Sequence, residues 1–326
     1  MPMKNFAGVP ACRSQPGRPL LLGLLLGLGA CQELLNAADG GVDGGPSGNG
    51  GAGGNATSPP GCGLASEPEP NDSRDHATPY QAGASVIGCM VSGEDIDTYE
   101  FQAPSGDPAG GYYEGALTDV GPGRIEAQIS SASDNGQIDR THTDDSGSSL
   151  FFYFAAAPGQ KYRVAVANLP PFTAGFRYTF KATYTKLADA YEPNDTRESA
   201  KPIPLGTPIS AFMFAGHKTS AVASEEFTDW YSFTLGAGMV NIRVDDVPSN
   251  VRVEAFLYDA DGTKVDAPRM SNDNFGGSFD VTTKVITPGP HRLELGTFPP
   301  APLPYGKGMN LPDNFTKPYK LTVTQR

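Results

Sequence analysis

The chain has 326 residues, 38% of them hydrophobic, and a mean hydropathy of −0.32. That length predicts about two domains, each large enough to bury a core. A net charge of −12 excludes nucleic acid and anionic membrane surfaces as electrostatic partners; it suits divalent cations, basic partners or plain solubility.

Residues 1–30 read as an export signal. Lys4, Arg13 and Arg18 precede the apolar run Leu20–Leu28, which is too short to cross a bilayer comfortably as a helix. The run ends at Leu28-Gly29-Ala30-Cys31, small residues before a cysteine, and resembles a bacterial lipobox. The resemblance implies that Cys31 is acylated and that the chain is tied to a membrane through its lipid. Gln32, where many inner-membrane lipoproteins carry Asp, points to the outer membrane or cell surface. Residues 31–66 read as a flexible linker, with a Gly-rich tract at 39–63 that has no apolar period and spans about 30 Å. Gly48, Gly50 and Gly53 formally spell GxGxxG, but no strand precedes them and no helix follows.

Of the four cysteines, Cys12 lies in the signal and Cys31 at the lipid position. Cys62 and Cys89 remain, and export to an oxidising compartment predicts a disulfide between them, worth about 3 kcal/mol on the chain-entropy argument. A zinc site is disfavoured, since no CxxC or His pair accompanies them.

The motif Glu67-Pro68-Glu69-Pro70-Asn71-Asp72 returns as Tyr191-Glu192-Pro193-Asn194-Asp195. Aligning the two motifs brings the downstream runs into register. Asp97-Thr98-Tyr99-Glu100-Phe101 matches Asp229-Trp230-Tyr231-Ser232-Phe233, with about nine extra residues in the second copy near 216–224. Ile125–Ile129 matches Val253–Leu257, and each is followed by a turn signal, Asp134-Asn135-Gly136 or Asp259-Ala260-Asp261-Gly262. Lys161–Val166 matches His291–Leu295, and Tyr178–Ala182 matches Tyr319–Val323. Apolar residues alternate along these runs (Tyr162/Val164/Val166, Val240/Ile242/Val244), the period of a strand with one buried face. The expectation is an all-β protein: two tandem antiparallel β-sandwiches or jelly rolls, residues 67–187 and 188–326, after the signal and the linker.

The order Glu-Pro-Asn-Asp, Asp-x-Tyr-x-Phe, an Asp/Gly turn and a final strand opening on Tyr, present twice and spelled Asp-x-Asp-Gly and Tyr-x-Leu-x-Val in the second copy, resembles the bacterial pre-peptidase C-terminal domain. The resemblance is similar in kind to the collagen-binding domains of collagenases. It implies compact β-sandwiches, usually appended to secreted peptidases, some of which bind calcium through the acidic N-terminal segment. No peptidase segment accompanies them here.

Calcium takes six to eight hard oxygen ligands. Glu67, Glu69, Asn71 and Asp72 supply four side chains within six residues, and Asp95 and Asp97 converge from the next strand. The prolines hold the segment extended, which places Glu67, Glu69 and Asn71 on one side. The competing reading is that Asn71 and Asp72 cap the turn at 73–77 while the glutamates are solvated. The second copy offers Glu192, Asn194, Asp195 and Asp229, a weaker set, because Ala190 and Phe227 stand where Glu67 and Asp95 stand; Asp189, Glu225 or Glu226 are candidate replacements.

No catalytic constellation is visible. His76, His142, His217 and His291 form no HExxH, and neither GxSxG nor a P-loop occurs. Trp230 and most Tyr and Phe residues read as core; the run Phe151-Phe152-Tyr153-Phe154 breaks alternation, so it is either buried on both faces or open to a partner. The expected function is a non-catalytic, envelope-anchored pair of calcium-stabilised modules that bind an extracellular or envelope protein or polysaccharide. A passive spacer is the alternative, and an unrecognised hydrolase a more distant one.

Overall fold

The computed structural model describes residues 62–63, 65, 67–214, 228–265, 270–271, 274–297 and 305–326. The signal segment, Cys31, most of the linker, His217, Glu225, Glu226 and Phe227 lie outside the described residues. Among the described residues no helix is long and apolar enough to cross a membrane.

The regular secondary structure of the described chain is almost entirely strand. The first copy contributes β1 (Thr78–Pro79), β2 (Ser85–Met90), β3 (Ile96–Gln102), β4 (Gly111–Thr118), β5 (Arg124–Ser131), β6 (Gln137–His142), β7 (Leu150–Ala156), β8 (Lys161–Leu169) and β9 (Phe176–Lys186). The second contributes β10 (Lys201–Pro202), β11 (Ile209–Ala211), β12 (Thr228–Leu235), β13 (Gly238–Asp245), β14 (Val253–Tyr258), β15 (Met270–Ser271), β16 (Phe279–Val285), β17 (Gly289–Thr297), β18 (Tyr305–Lys307) and β19 (Tyr319–Gln325). One sheet of the first copy runs β1-β3-β8-β5-β6, and its counterpart runs β10-β12-β17-β14-β15. The other runs β7-β4-β9-β2, and its counterpart β16-β13-β19-β11. The duplication legible in the sequence is therefore a duplication of topology, strand for strand, with β18 as the insertion.

Two sheet faces meet in each core, as the alternation requires. Tyr99, Phe101, Val164 and Ile129 from one sheet pack with Tyr113, Phe154 and Phe180 from the other. Tyr231, Leu293 and Leu257 pack with Ile242, Val244 and Leu321 in the second copy. Each such side chain contributes about 1.5–3 kcal/mol of burial. Pairing departs from purely antiparallel in one respect. Two-residue β1 and β10 run parallel to β3 and β12, because a short 3-10 turn (Arg74–His76, Arg197–Ser199) delivers each beside the strand start. The Asp259–Gly262 segment is a hairpin turn as expected, with Gly262 at φ +83° and its N–H on Asp259 O.

The run Phe151–Phe154 is closed on both faces. Phe152 and Phe154 enter the first core. Tyr153 joins Ala109, Tyr112, Leu187, Phe214 and Phe315 in a third apolar cluster, which both copies build. Phe315 sits in a one-turn helix α1 (Asp313–Thr316), its ring 5.4 Å from Tyr112, 5.3 Å from Tyr153 and 4.9 Å from Phe214. Beside it, β18 adds to the free edge of β7, Gly306 opposite Tyr153, where any Cβ would strike the tyrosine ring. Residues 53–326 form one compact unit.

Trp230 corrects the core reading. On β12 the inward positions are Asp229, Tyr231, Phe233 and Leu235, so Trp230 points to the outer face and is half-buried.

Candidate cation centres

The acidic motif is fastened along the start of β3 by a hydrogen bond from Thr98 N to Asn71 O (3.1 Å), and its counterpart by Trp230 N to Asn194 O (2.8 Å). Both motifs run as bends and irregular chain rather than as an extended strand, and Glu69–Pro70 and Glu192–Pro193 are both cis. The cap reading holds for neither Asn71 nor Asp72: Ser73 and Thr196 occupy the N-cap positions, while Asn71 is buried in the centre and Asp72 is exposed.

In the first copy one oxygen each of Glu67, Glu69 and Asp97 lies within 4.8 Å of the other two. Glu67 accepts from Cys89 N and from the Tyr99 hydroxyl, both at 2.5 Å. Glu69 accepts from Asn71 N at 3.0 Å. Asp97, fully buried, accepts from the Tyr178 hydroxyl at 2.5 Å, and the Tyr178 and Tyr99 hydroxyls are 2.8 Å apart. Burial drives the Glu67 carboxyl up to about 7, against the lowering effect of its two donors, and neighbouring Glu69 and Asp95 push the same way. Asp97 is raised well above the ordinary range by burial and then by Glu67. The charges that act most on these groups are other carboxylates, which with burial hold them toward the protonated form as long as no cation is bound.

The buried Asn71 amide shows what would relieve it. With nitrogen inward, it donates to Asp97 Oδ1 and Glu69 Oε2, both at 3.2 Å. With oxygen inward, three oxygens face one another, an arrangement that a bound cation would satisfy. The residues therefore fit a hard divalent cation, with Glu67, Glu69, Asp97 and Asn71 converging. Asp95 and Asp72 stand apart from that group. Asp95 accepts from Val91 N and pairs with Asp72, and burial raises it to about 6.

The second copy repeats the hydrogen-bond pattern with one exchange, although among the described residues only the first copy brings three carboxylates within 4.8 Å of one another. Asp189 Oδ2 accepts from Phe212 N at 2.6 Å, the place that Cys89 N holds on Glu67. Asp189, Glu192, Asn194 and Asp229 are all buried, and Asn194 Oδ1 has no hydrogen-bond partner. Asp229 accepts from the Tyr319 and Tyr231 hydroxyls. Burial first, then Asp229, Asp195 and Asp189, raises Glu192 to about 9, and burial also raises Asp229 well above the ordinary range. The Tyr99/Tyr178 and Tyr231/Tyr319 pairs were not among the expected site residues, although each is a shared letter of the two aligned copies.

Cys62 and Cys89 form a disulfide pair with Cα atoms 5.5 Å apart, and the staple holds residue 62 beside β2, whose Cys89 N–H donates to Glu67. Of the histidines, His291 is buried with Nδ1 2.9 Å from Gly289 O, while His76 bonds Ser73 at the surface.

No known protein family matches the chain, and no curated protein does. Among solved structures it is similar to the M60 catalytic domain with the CBM51-1 and CBM51-2 domains from Clostridium perfringens ZmpB, at 8% identity and TM-score 0.25, over 76% of this chain and 38% of that one. It is similar to an inferred secreted protein of Parabacteroides distasonis at 10% identity and TM-score 0.28, over 76% and 90%. The PBSX exported protein XepA gives 12% identity and TM-score 0.22, over 76% and 90%. At these values none of the three carries an argument about what the chain does; the all-β fold stands on the chain's own strands.

Proposed function

We propose that the chain is a non-catalytic, lipid-anchored envelope protein, tethered at Cys31 at the outer membrane or cell surface. Its two sandwiches, similar to pre-peptidase C-terminal domains, are binding modules for an extracellular protein or polysaccharide. Calcium stabilises the first. The observation that carries the reading is the Glu67–Glu69–Asp97 group, buried at Asp97 and open to solvent at Glu69, with the Asn71 amide among its oxygens. Bound calcium would supply charge compensation and a fixed motif, which is a structural rather than a chemical task. Thermal melts in calcium and in chelator test it: a raised midpoint in calcium that Asp97→Asn abolishes supports the site, and unchanged midpoints overturn it. Release of the chain from membranes by Cys31→Ala tests the anchor, and affinity capture on the immobilised chain tests the binding role.

The spacer alternative draws on a different observation, the addition of β18 to β7 across the copies. A chain built only for reach would lose length but no affinity when one copy is deleted.

A further inference from the structure

The two copies share a sheet whose outward faces differ. In the second, one cross-strand row carries Trp230, Glu294 and Phe256, and the next carries Ser232, Arg292 and Tyr258. The same rows of the first copy carry Thr98, Ala165 and Gln128, then Glu100, Arg163 and Ser130. The first face is closed by ion pairs, with Glu100 holding Lys161 at 2.8 Å and Arg163 at 3.0 Å. On the second, the rings of Trp230 and Tyr258 lie 5.4 Å apart at 30°, and the Tyr258 hydroxyl donates to Glu294 at 2.6 Å. The Arg197 guanidinium stands 5.9 Å above Tyr258. Since the first copy packs the same sheet without an aromatic in either row, the fold does not require these rings.

We propose that this face binds a neutral polysaccharide. Trp230 and Tyr258 stack against the C–H face of a sugar ring, and Glu294, Arg292 and Arg197 take its hydroxyls. An aromatic face is negative and attracts polarised C–H groups, while a carboxylate and a guanidinium each take hydroxyls through charge-assisted hydrogen bonds. Glu294 sits among the cations Arg292, Arg197 and Lys264, the last 3.2 Å over the Phe256 ring, while the chain's net charge of −12 opposes a polyanion. A proline-rich peptide also stacks on aromatics, but its tertiary amides donate nothing to Glu294, whereas sugar hydroxyls donate and accept. The inference deepens the proposed function and rests on the chain being a binding module.

Trp230 is the one tryptophan in the sequence, so its emission reports on this face alone. The full-length chain is titrated with laminarin, arabinoxylan, amylose and a polyproline peptide, following emission, and retardation in gels containing each polysaccharide is measured in parallel. The expected result is a saturable emission shift with at least one polysaccharide. Retardation should weaken at least about tenfold in Trp230→Ala and Tyr258→Ala, persist in Trp230→Phe, and be unchanged in Gln128→Ala on the matching row of the first copy. Circular dichroism confirms that each variant is folded. No shift with any polysaccharide, a response to polyproline alone, or retardation indifferent to both alanine variants overturns the inference. Affinity capture separates the two failures. A partner held equally by wild type and Trp230→Ala leaves the binding-module reading and removes this one, whereas capture of nothing by either removes both.

Discussion

Glu67 and Asp189 reach equivalent backbone amides from different places in their motifs. Glu67 stands two residues before Glu69, while Asp189 stands three before Glu192, yet each accepts from the amide that follows the same register position, Cys89 in one copy and Phe212 in the other. The shorter side chain is served by a different chain path. The consequence is electrostatic: Glu69 is exposed in the first copy, whereas its counterpart Glu192 is buried and raised to about 9. The first centre is thus open toward solvent on one side and suits exchange with a free ion, while the second holds its acids in a dry setting where the proton competes harder. Duplication preserved the backbone amide that an acid of each motif uses and let the spacing and accessibility of the acids diverge.

The largest effect is expected from separating the copies. Phe315 packs on Tyr112 and Tyr153 of the first copy and on Phe214 of the second. Phe315→Ala should cost about 3–5 kcal/mol. Chemical denaturation followed by circular dichroism should then resolve two transitions where the wild type shows one. A single transition with an unmoved midpoint would show that the third cluster contributes nothing and that the copies are independent.

Calcium should separate the two centres next. At a concentration about 100 times its Kd, calcium adds about 2.7 kcal/mol. Asp97→Asn should remove that gain, and Asp229→Asn should leave most of it. In chelator Asp97→Asn should be neutral or stabilising, because an amide relieves the repulsion from Glu67 and still accepts from Tyr178. Equal loss of the calcium response in both variants would make the centres equivalent.

The pH dependence comes from the direction of the shifts. Glu67 binds its proton more tightly folded, at about 7, than unfolded, near 4.5. Its contribution is fully present below pH 4.5 and lost as pH rises through about 7; that of Glu192 is lost only as pH rises through about 9. Chelated protein should therefore lose stability steadily from acid to mildly alkaline pH, and Glu67→Gln should flatten the part below about 7. Calcium expels these protons, so its stabilisation should grow over the same range. Urea midpoints at pH 5 and pH 8, with and without calcium, check both slopes, and a chelated protein more stable at pH 8 would refute the assignment.

Much of this was readable in the chain. Period-two alternation and the Asp-x-Tyr-x-Phe repeat fix which face of β3 and β12 is buried, and the same phase, applied to Trp230 between Asp229 and Tyr231, places the indole outside the core. Reading Trp230 as core overrode a signal that was present. The convergence of Glu67, Glu69 and Asp97 was legible because the repeat fixed the motif beside the strand. The role of Asp189 was not, since alignment by letters assigns its place to Ala190 and only the chain path shows which side chain reaches Phe212 N. The cross-copy strand was hidden for another reason: Tyr305-Gly306-Lys307 is too short to show a period, and its partner edge belongs to a segment about 150 residues earlier.

The smallest expected effect lies at the turns just after the two motifs. Thr196 in the second copy accepts from Ser199 N, and Ser199 Oγ accepts in return from Thr196 N at 3.0 Å, a reciprocal capping box. Ser73 in the first copy makes no such cap and bonds the His76 ring instead. A cap satisfies a backbone N–H that the turn leaves free, so Thr196→Ala should cost about 1 kcal/mol and Ser73→Ala less than half of that. Thermal midpoints of the two variants in chelator check the difference. It matters for the comparison because the capped turn is the one beside the more deeply buried acids: with its cap removed, the second motif should become the easier of the two to open, and amide exchange at Asn194 should accelerate toward that of Asn71. Equal exchange at the two asparagines before and after the substitution would place the rigidity of both motifs in their strand contacts, Thr98 on Asn71 and Trp230 on Asn194, rather than in the turns.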